Sequence, residues 1–159
     1  MIKLTFSIDK VYHKATSLYI ICGMKSGEKT SNRDLYFTID HEWIDFQGAV
    51  AYTGVCNFKL LGFKEIHQVQ FQEPEGFKMK GEVIATITYK DYLIEAHMPV
   101  DGKVIKVNEM LLFDGRNSLL HNAESSGWLA MIAPSQPYER KDLLLPKQYQ
   151  MNGKNKYAK

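Results

Sequence analysis

The sequence predicts a mainly β protein, built as a sandwich or barrel with a short internal helix and a C-terminal helix. Short runs rich in β-branched and aromatic residues are separated by turn residues, among them Gly48, Gly76 and Gly81. Many short strands at such spacing are typical of sandwiches and barrels. The predicted strands are Glu42 to Phe46, Ala49 to Thr53, Glu65 to Phe71, Val83 to Tyr89, Tyr92 to Met98, Gly102 to Val107 and Gly127 to Ile132.

The first section, residues 1–34, is predicted to be a β-rich extension that forms a hairpin. Apolar and polar residues alternate from Ile2 to Ile8, which indicates a strand with one buried face. The apolar run from Leu18 to Cys22 is the candidate partner strand. A polar, glycine-containing stretch over residues 25–32 then reads as a loop. We therefore place the main domain at residues 35–150.

Two helices are predicted inside this domain. The stretch from Asn57 to Leu61 is expected to form a turn or two, with the Asn57 side chain accepting a hydrogen bond from a free backbone amide as the N-cap. The stretch from Pro137 to Leu144 is expected to form the closing helix, because proline suits the first turn. Residues 151–159 are polar and basic, and we expect them to form a disordered tail.

Composition excludes several classes of function. The chain has 159 residues, of which 45% are apolar and 24% charged, and its net charge of +2 gives no strong field to recruit nucleic acid or a membrane. The longest apolar cluster, Leu18 to Cys22, is too short to span a bilayer. Cys22 and Cys56 form no disulfide framework, which indicates a reducing compartment. We expect a cytoplasmic protein that binds neither nucleic acid nor a membrane.

No pattern of catalytic or metal-binding residues stands out. The five histidines never pair at three- or four-residue spacing, so we predict no metal site. The run from Gly27 to Thr30 is similar to the end of a P-loop, but Glu28 stands where that motif needs glycine. Glu95 and His97 alternate on one predicted strand and share a face. That pair suits proton chemistry, but a solvated strand face is the favoured interpretation, and we predict a protein that is not an enzyme.

The dipeptide Lys90-Asp91 marks the most informative point of the chain. The predicted strands Val83 to Tyr89 and Tyr92 to Met98 lead into it and away from it. Two strand-like runs separated by two residues indicate a β-hairpin. Proteins that carry a cofactor on a swinging arm attach it to one lysine at such a tip. The side chains at these two positions therefore decide whether the chain is a carrier.

Motifs from Phe37 to Tyr149 resemble the H protein of the glycine cleavage system, a lipoyl-bearing carrier. The segments that carry the resemblance are Phe37-Thr38-Ile39-Asp40-His41-Glu42-Trp43, Gly48 to Phe58, Gly81-Glu82, Pro99 to Asn108, Gly127-Trp128-Leu129 and Leu143-Leu144. They occur in the family's order at compatible spacing. The resemblance implies a lipoyl/biotinyl-type barrel-sandwich hybrid with a C-terminal helix, and it leaves the N-terminal extension outside.

The chain departs from the family where the family carries its lipoyl lysine. The family's hairpin reads Glu-Ser-Val-Lys-Ala, whereas this chain has Thr88-Tyr89-Lys90 followed by Asp91. Counting ten residues on from Gly81, or eight back from Pro99, reaches Asp91 in both cases. Lipoate is joined as an amide to a lysine amine, which aspartate does not have. Lys90 lies one residue early, and strand side chains alternate faces, although a turn relaxes that rule.

Three hypotheses follow from this departure. The first is an H-protein-like binding or scaffold paralogue that carries no lipoate. The alternative is a working lipoyl carrier of a glycine-cleavage-type system with Lys90 as its attachment site. The third is an unrelated role on the same fold, centred on residues 1–34. Under the first hypothesis we expect no cofactor, and we expect protein partners such as glycine-cleavage-type or lipoate-handling enzymes.

Overall fold

The structure is a computed structural model that describes residues 33–135 and 140–157. The described residues from Asp34 onward form one compact unit. The predicted hairpin of the N-terminal extension falls outside the described residues, as does the P-loop-like run from Gly27 to Thr30.

Two antiparallel sheets make up this unit, which confirms the predicted mainly β class. One sheet has six strands in the order β1-β2-β3-β9-β8-β5, and the other has three in the order β4-β6-β7. The strands are β1 Asp34–Phe37, β2 Glu42–Gln47, β3 Val50–Val55, β4 Gln68–Phe71, β5 Gly76–Lys78, β6 Val83–Tyr89, β7 Tyr92–His97, β8 Gly102–Val107 and β9 Ala130–Pro134.

The helices are short except for the last. Three 3-10 helices cover Asn57–Leu60, Glu109–Leu112 and Asp114–Asn117, and two α-helices follow as α1 Ser118–Asn122 and α2 Pro146–Tyr157. The predicted internal helix is confirmed as the first 3-10 helix. Its predicted cap is wrong, because Cys56 occupies the N-cap position and no side chain caps it. The amide of Asn57 donates instead to a Glu124 carboxylate oxygen at 3.2 Å.

Two strands were not predicted. β1 ends at Phe37, where the recognisable motif begins, and β5 has only three residues and starts on the glycine of a Pro-Glu-Gly turn. Each exists because a partner strand supplies its hydrogen bonds, β2 for β1 and β8 for β5. Such short strands carry too little periodicity to be recognised from their own residues.

The closing helix was predicted in the wrong place. Residues 140–144 form a turn and a β-bridge, in which Phe37 and Leu144 exchange backbone hydrogen bonds of 2.9 and 2.8 Å. The helix begins instead at Pro146, where the Gln148 side chain accepts the free amide of Leu145 at 2.9 Å. Tyr149 stacks on Phe37 with ring centres 4.4 Å apart, which anchors the first turn of the helix on β1. The helix ends at Tyr157. The predicted disordered tail is helical as far as that residue.

The main core lies between the sheets, and residues of both contribute to it. Its fully buried members include Ile44, Ile87, Leu119 and Ile132. A smaller cluster of Phe37, Trp43 and Cys56 lies beside it.

Two motif glycines allow neighbouring atoms to pack closely against the backbone. A Cβ atom on Gly54 would lie 2.9 Å from the indole nitrogen of Trp43, which donates to the Ala123 carbonyl at 2.8 Å. A Cβ atom on Gly102 would lie 2.7 Å from the Ala133 carbonyl oxygen. These distances are shorter than a carbon atom tolerates, so the packing of the sheet requires glycine at both positions.

Candidate functional site

The β6–β7 hairpin has the predicted tip. Tyr89 pairs with Tyr92, which leaves Lys90 and Asp91 as a two-residue loop. The favoured two-residue hairpin turns need a positive φ at their first position, usually supplied by glycine or asparagine. Lys90 takes that role with a φ of 52°. A lysine in this region is uncommon and needs supporting contacts.

Aromatic and polar contacts support the conformation of Lys90. Its backbone amide donates to Nδ1 of His67 at 3.2 Å, and its ammonium nitrogen lies 5.2 Å from the centre of the Tyr89 ring. The Tyr89 ring is buried and packs against Phe63 and His67, with ring centres 5.5 and 5.3 Å away. The lysine side chain therefore lies across an aromatic base while remaining exposed to solvent.

His67 connects the tip to the chain before β4. Because its Nδ1 accepts from the Lys90 amide, the neutral ring carries its proton on Nε2. That nitrogen lies 3.0 Å from a carboxylate oxygen of Glu65, to which it donates. Sequence reasoning missed His67, since only the pairing of β4 with β6 brings it to the tip.

Asp91 and the two residues after it complete the surface of the tip. Asp91 is exposed at the second loop position. The side chains of Tyr92 and Leu93 follow it and are 67% and 58% exposed. The tip therefore presents one cation, one anion and two large apolar side chains to solvent.

A buried cluster around Glu42 lies at the other end of the hairpin. Glu42 is 1% exposed, and its carboxylate accepts from Thr38 Oγ1 at 2.6 Å, from the Lys59 ammonium and from Nδ1 of His97 at 3.1 Å. The backbone amide of His97 also donates to it at 3.2 Å. Burying a carboxylate is costly unless such partners are present. The cluster joins β2, the first 3-10 helix and the end of β7, and we assign it a structural role.

The predicted pair of Glu95 and His97 does share a face. Nε2 of His97 lies 3.5 Å from a carboxylate oxygen of Glu95. The prediction of a solvated face holds for Glu95, which is exposed, but is wrong for His97, whose other nitrogen binds the buried Glu42. Sequence reasoning could not find this contact, because Glu42 lies 55 residues away in the chain.

The remaining candidate groups form no catalytic centre in the part of the chain that the structure describes. No cluster of three metal-ligating side chains occurs among those residues. Cys56 is fully buried, and burial raises the pKa of its thiol to about 12. A thiol with so high a pKa is a poor nucleophile at neutral pH. No helix within the described ranges is long and apolar enough to cross a membrane.

Comparison with known proteins gives the family. The sequence profile for "Glycine cleavage H-protein" matches residues 35–156. The chain belongs to this family. It is 31% identical over 115 residues to a glycine cleavage system H protein of Alkaliphilus oremlandii, covering 72% of this chain and 89% of that one. It is also 31% identical over 117 residues to a probable glycine cleavage system H protein of Aeropyrum pernix, covering 74% and 81%.

The fold of the family is shared as well. A crystal structure of a glycine cleavage system H protein from Mycobacterium marinum superposes with a TM-score of 0.64 at 23% identity, covering 76% of this chain and 97% of that one. The predicted barrel-sandwich architecture of this H-protein-like chain is thereby confirmed. Family membership also confirms that the chain is a non-catalytic protein.

Proposed function

We propose that this H-protein-like chain is a protein-binding module that carries no lipoate. The observation that carries the proposal is the identity of the two tip residues. Asp91, at the position that aligns with the family's lysine, has a carboxylate where amide formation requires an amine. The sole amine of the two-residue loop belongs to Lys90, one residue earlier.

The contacts of Lys90 support this proposal. Its ammonium group lies over the Tyr89 ring, a contact that contributes about 0.5–1 kcal/mol at an exposed site. A positive φ at Lys90 also gives its side chain a different direction from that of the second loop residue. A modifying enzyme that expects the amine at the second loop position would therefore meet Asp91.

The partners we propose are proteins of the glycine-cleavage type or enzymes that handle lipoate, acting in the cytoplasm. The exposed Tyr92 and Leu93 beside the tip supply apolar contact area of the kind that protein interfaces use. A module that keeps the fold and surface of a carrier but lacks its amine would occupy such an enzyme without accepting lipoate.

One observation favours the alternative, a carrier that uses Lys90. The side chain is exposed at the very end of the hairpin, and a contact with one tyrosine ring is weak enough to break. In this alternative the lipoate carboxyl forms an amide with the Lys90 amine, and the arm swings from the first loop position.

Three proteins incubated with a lipoate ligase separate the two proposals, with a true H protein as positive control. Intact mass is read for the wild type, for Asp91→Lys, and for the double variant Lys90→Ala/Asp91→Lys. We expect no mass increment on the wild type and a lipoyl increment on both variants, because each has an amine at the second loop position. The native protein, purified from its host, should likewise lack the increment.

An increment on the wild type would overturn the proposal, and its loss in a fourth protein, the single variant Lys90→Ala, would establish the carrier. If neither variant that carries Asp91→Lys accepts lipoate, then the aspartate at position 91 is not what prevents lipoylation. The side chains of Lys90 and Asp91 are both exposed, so we expect these substitutions to leave the fold intact, and far-UV circular dichroism of each protein verifies it.

A further inference from the structure

An apolar groove lies between the edges of the two sheets. It encloses about 590 Å³, within the range of sites that hold ligands. All of β4 forms one wall, and the segment from Ile105 to Val107 of β8 forms the other. Leu112 and Phe113, which follow β8 in the chain, also line the groove.

The β4 wall is an open strand edge. The amide of Gln72 donates to the Ile84 carbonyl of β6 at 2.9 Å, and β4 pairs with β6 in the same register. Because hydrogen bonding alternates along an antiparallel strand, the backbone groups of Gln70 face β6, and those of Val69 and Phe71 face the groove. The backbone N–H and C=O groups of these two residues have no partner in the described ranges 33–135 and 140–157.

The opposite wall is open for a related reason. β5 pairs with β8 only from Gly102 to Val104. The following segment, Ile105 to Val107, has no strand on that side among the residues that the structure describes. The groove therefore has strand backbone on both sides and apolar side chains along it, which suits an additional strand.

The charges at the ends of the groove define the occupant further. Glu75 lies in the β4–β5 turn at one end, and Glu109 lies in the 3-10 helix at the other. Lys106 is the single cation among the residues lining the groove. An occupant with basic residues at its ends complements this excess of carboxylates.

From these features we infer that the groove binds an extended peptide segment of a protein partner by strand addition. The segment pairs its backbone with the open edge of β4, places alternate apolar side chains against the groove, and has basic residues at its ends. Main-chain hydrogen bonds supply affinity and the alternate side chains supply specificity in this mode of recognition. The inference is independent of whether Lys90 carries lipoate.

Amide correlation spectra of the full-length, isotope-labelled protein test this directly. The probe is acetyl-Lys-Val-Thr-Val-Thr-Val-Lys-amide, and the control probe is the same peptide N-methylated at its valines and threonines. We expect binding with a Kd below about 1 mM, shifts at the Val69 and Phe71 amides, and slower hydrogen exchange there. The methylated peptide should bind at least about tenfold more weakly, because it lacks the pairing N–H groups.

Two matched variants place the binding in the groove. Leu112→Lys introduces a charge into the groove, whereas Met110→Lys adds the same charge on the same 3-10 helix but outside it. Both side chains are exposed, at 41% and 72%, so both variants keep the fold. We expect Leu112→Lys to weaken binding about tenfold and Met110→Lys to change it less than about twofold.

Several outcomes overturn the inference. One is a Kd above about 1 mM, and another is peptide binding that leaves the chemical shifts of the Val69 and Phe71 amides unchanged. The others are equal affinity for the methylated and unmethylated peptides, and an equal loss of affinity in Leu112→Lys and Met110→Lys. The unliganded spectra verify folding in each case, and the comparison of the two peptides uses the wild-type protein throughout.

Discussion

Replacing Glu42 by glutamine tests the buried carboxylate cluster. The substitution keeps the shape of the side chain and removes its charge. The amide oxygen can still accept from Lys59 and His97, and the amide nitrogen then points at the Thr38 hydroxyl. That hydroxyl already accepts the Glu42 backbone amide at 3.0 Å. The variant therefore removes the charge that the Lys59 ammonium faces and disturbs the hydrogen bond with Thr38.

The expected loss in the free energy of unfolding follows from the burial of the Glu42 carboxylate and the Lys59 ammonium group. Removing one partner of a buried ion pair costs about 3–5 kcal/mol. The Lys59 side chain keeps 15% of its surface exposed and can partly recover water, so the lower end applies. We expect Glu42→Gln to lower the free energy of unfolding by about 3 kcal/mol and the melting temperature by roughly 10 °C.

Urea denaturation of the full-length protein measures this cost as a lower midpoint at an unchanged slope. Glu95→Gln is the matched control, because Glu95 is half exposed and approaches the same histidine from outside. Its free energy of unfolding should stay within about 0.5 kcal/mol of the wild type. A loss below about 1 kcal/mol for Glu42→Gln would refute the assignment of the cluster as a structural ion pair.

Three further predictions concern the core. Ile87→Ala should destabilise the protein by about 2–5 kcal/mol in the same assay, because Ile87 is completely buried between the sheets. Gly54→Ala should cost about 1–3 kcal/mol, since its Cβ would meet the Trp43 indole, and tryptophan fluorescence should report the displaced ring. Cys56 should resist alkylation at pH 8 until the protein unfolds. The raised pKa of Cys56, about 12 against an ordinary value of 9.0, means that the unfolded chain loses this thiol proton first. Stability should therefore fall as the pH rises above 9.0, and a Cys56→Ala variant should show a smaller fall.

The elements that could be predicted from sequence were those with their own periodicity and turn residues. The run that becomes β6 alternates from Ala85 to Tyr89, and β6 occurs with the predicted ends. β5 depends on β8 for its hydrogen bonds and left no signal of its own. The closing helix was misplaced because Pro137 and Pro146 are both suitable first-turn residues. The bridge between Phe37 and Leu144 requires the chain before Pro146 to be extended.

The candidate site was also predictable from the sequence only in part. Counting from the flanking motifs identified Lys90 and Asp91 as the tip, and the structure has them there. The support of the tip by His67 was not predicted, because β4 and β6 must pair before the two segments meet. The groove beside β4 was not predicted either, since no residue pattern shows which strand edges remain open.

The sequence by itself determined the fold class, the family motifs and the chemistry at the hairpin tip. These depend on local periodicity and on the identity of single residues, such as an aspartate that has no amine to acylate. The tertiary structure decided the left-handed conformation of Lys90, its contact with His67, the burial of Glu42 and the open edge of β4. Each of these arises from strands that are distant in the chain, and their energies exist only after the strands have paired.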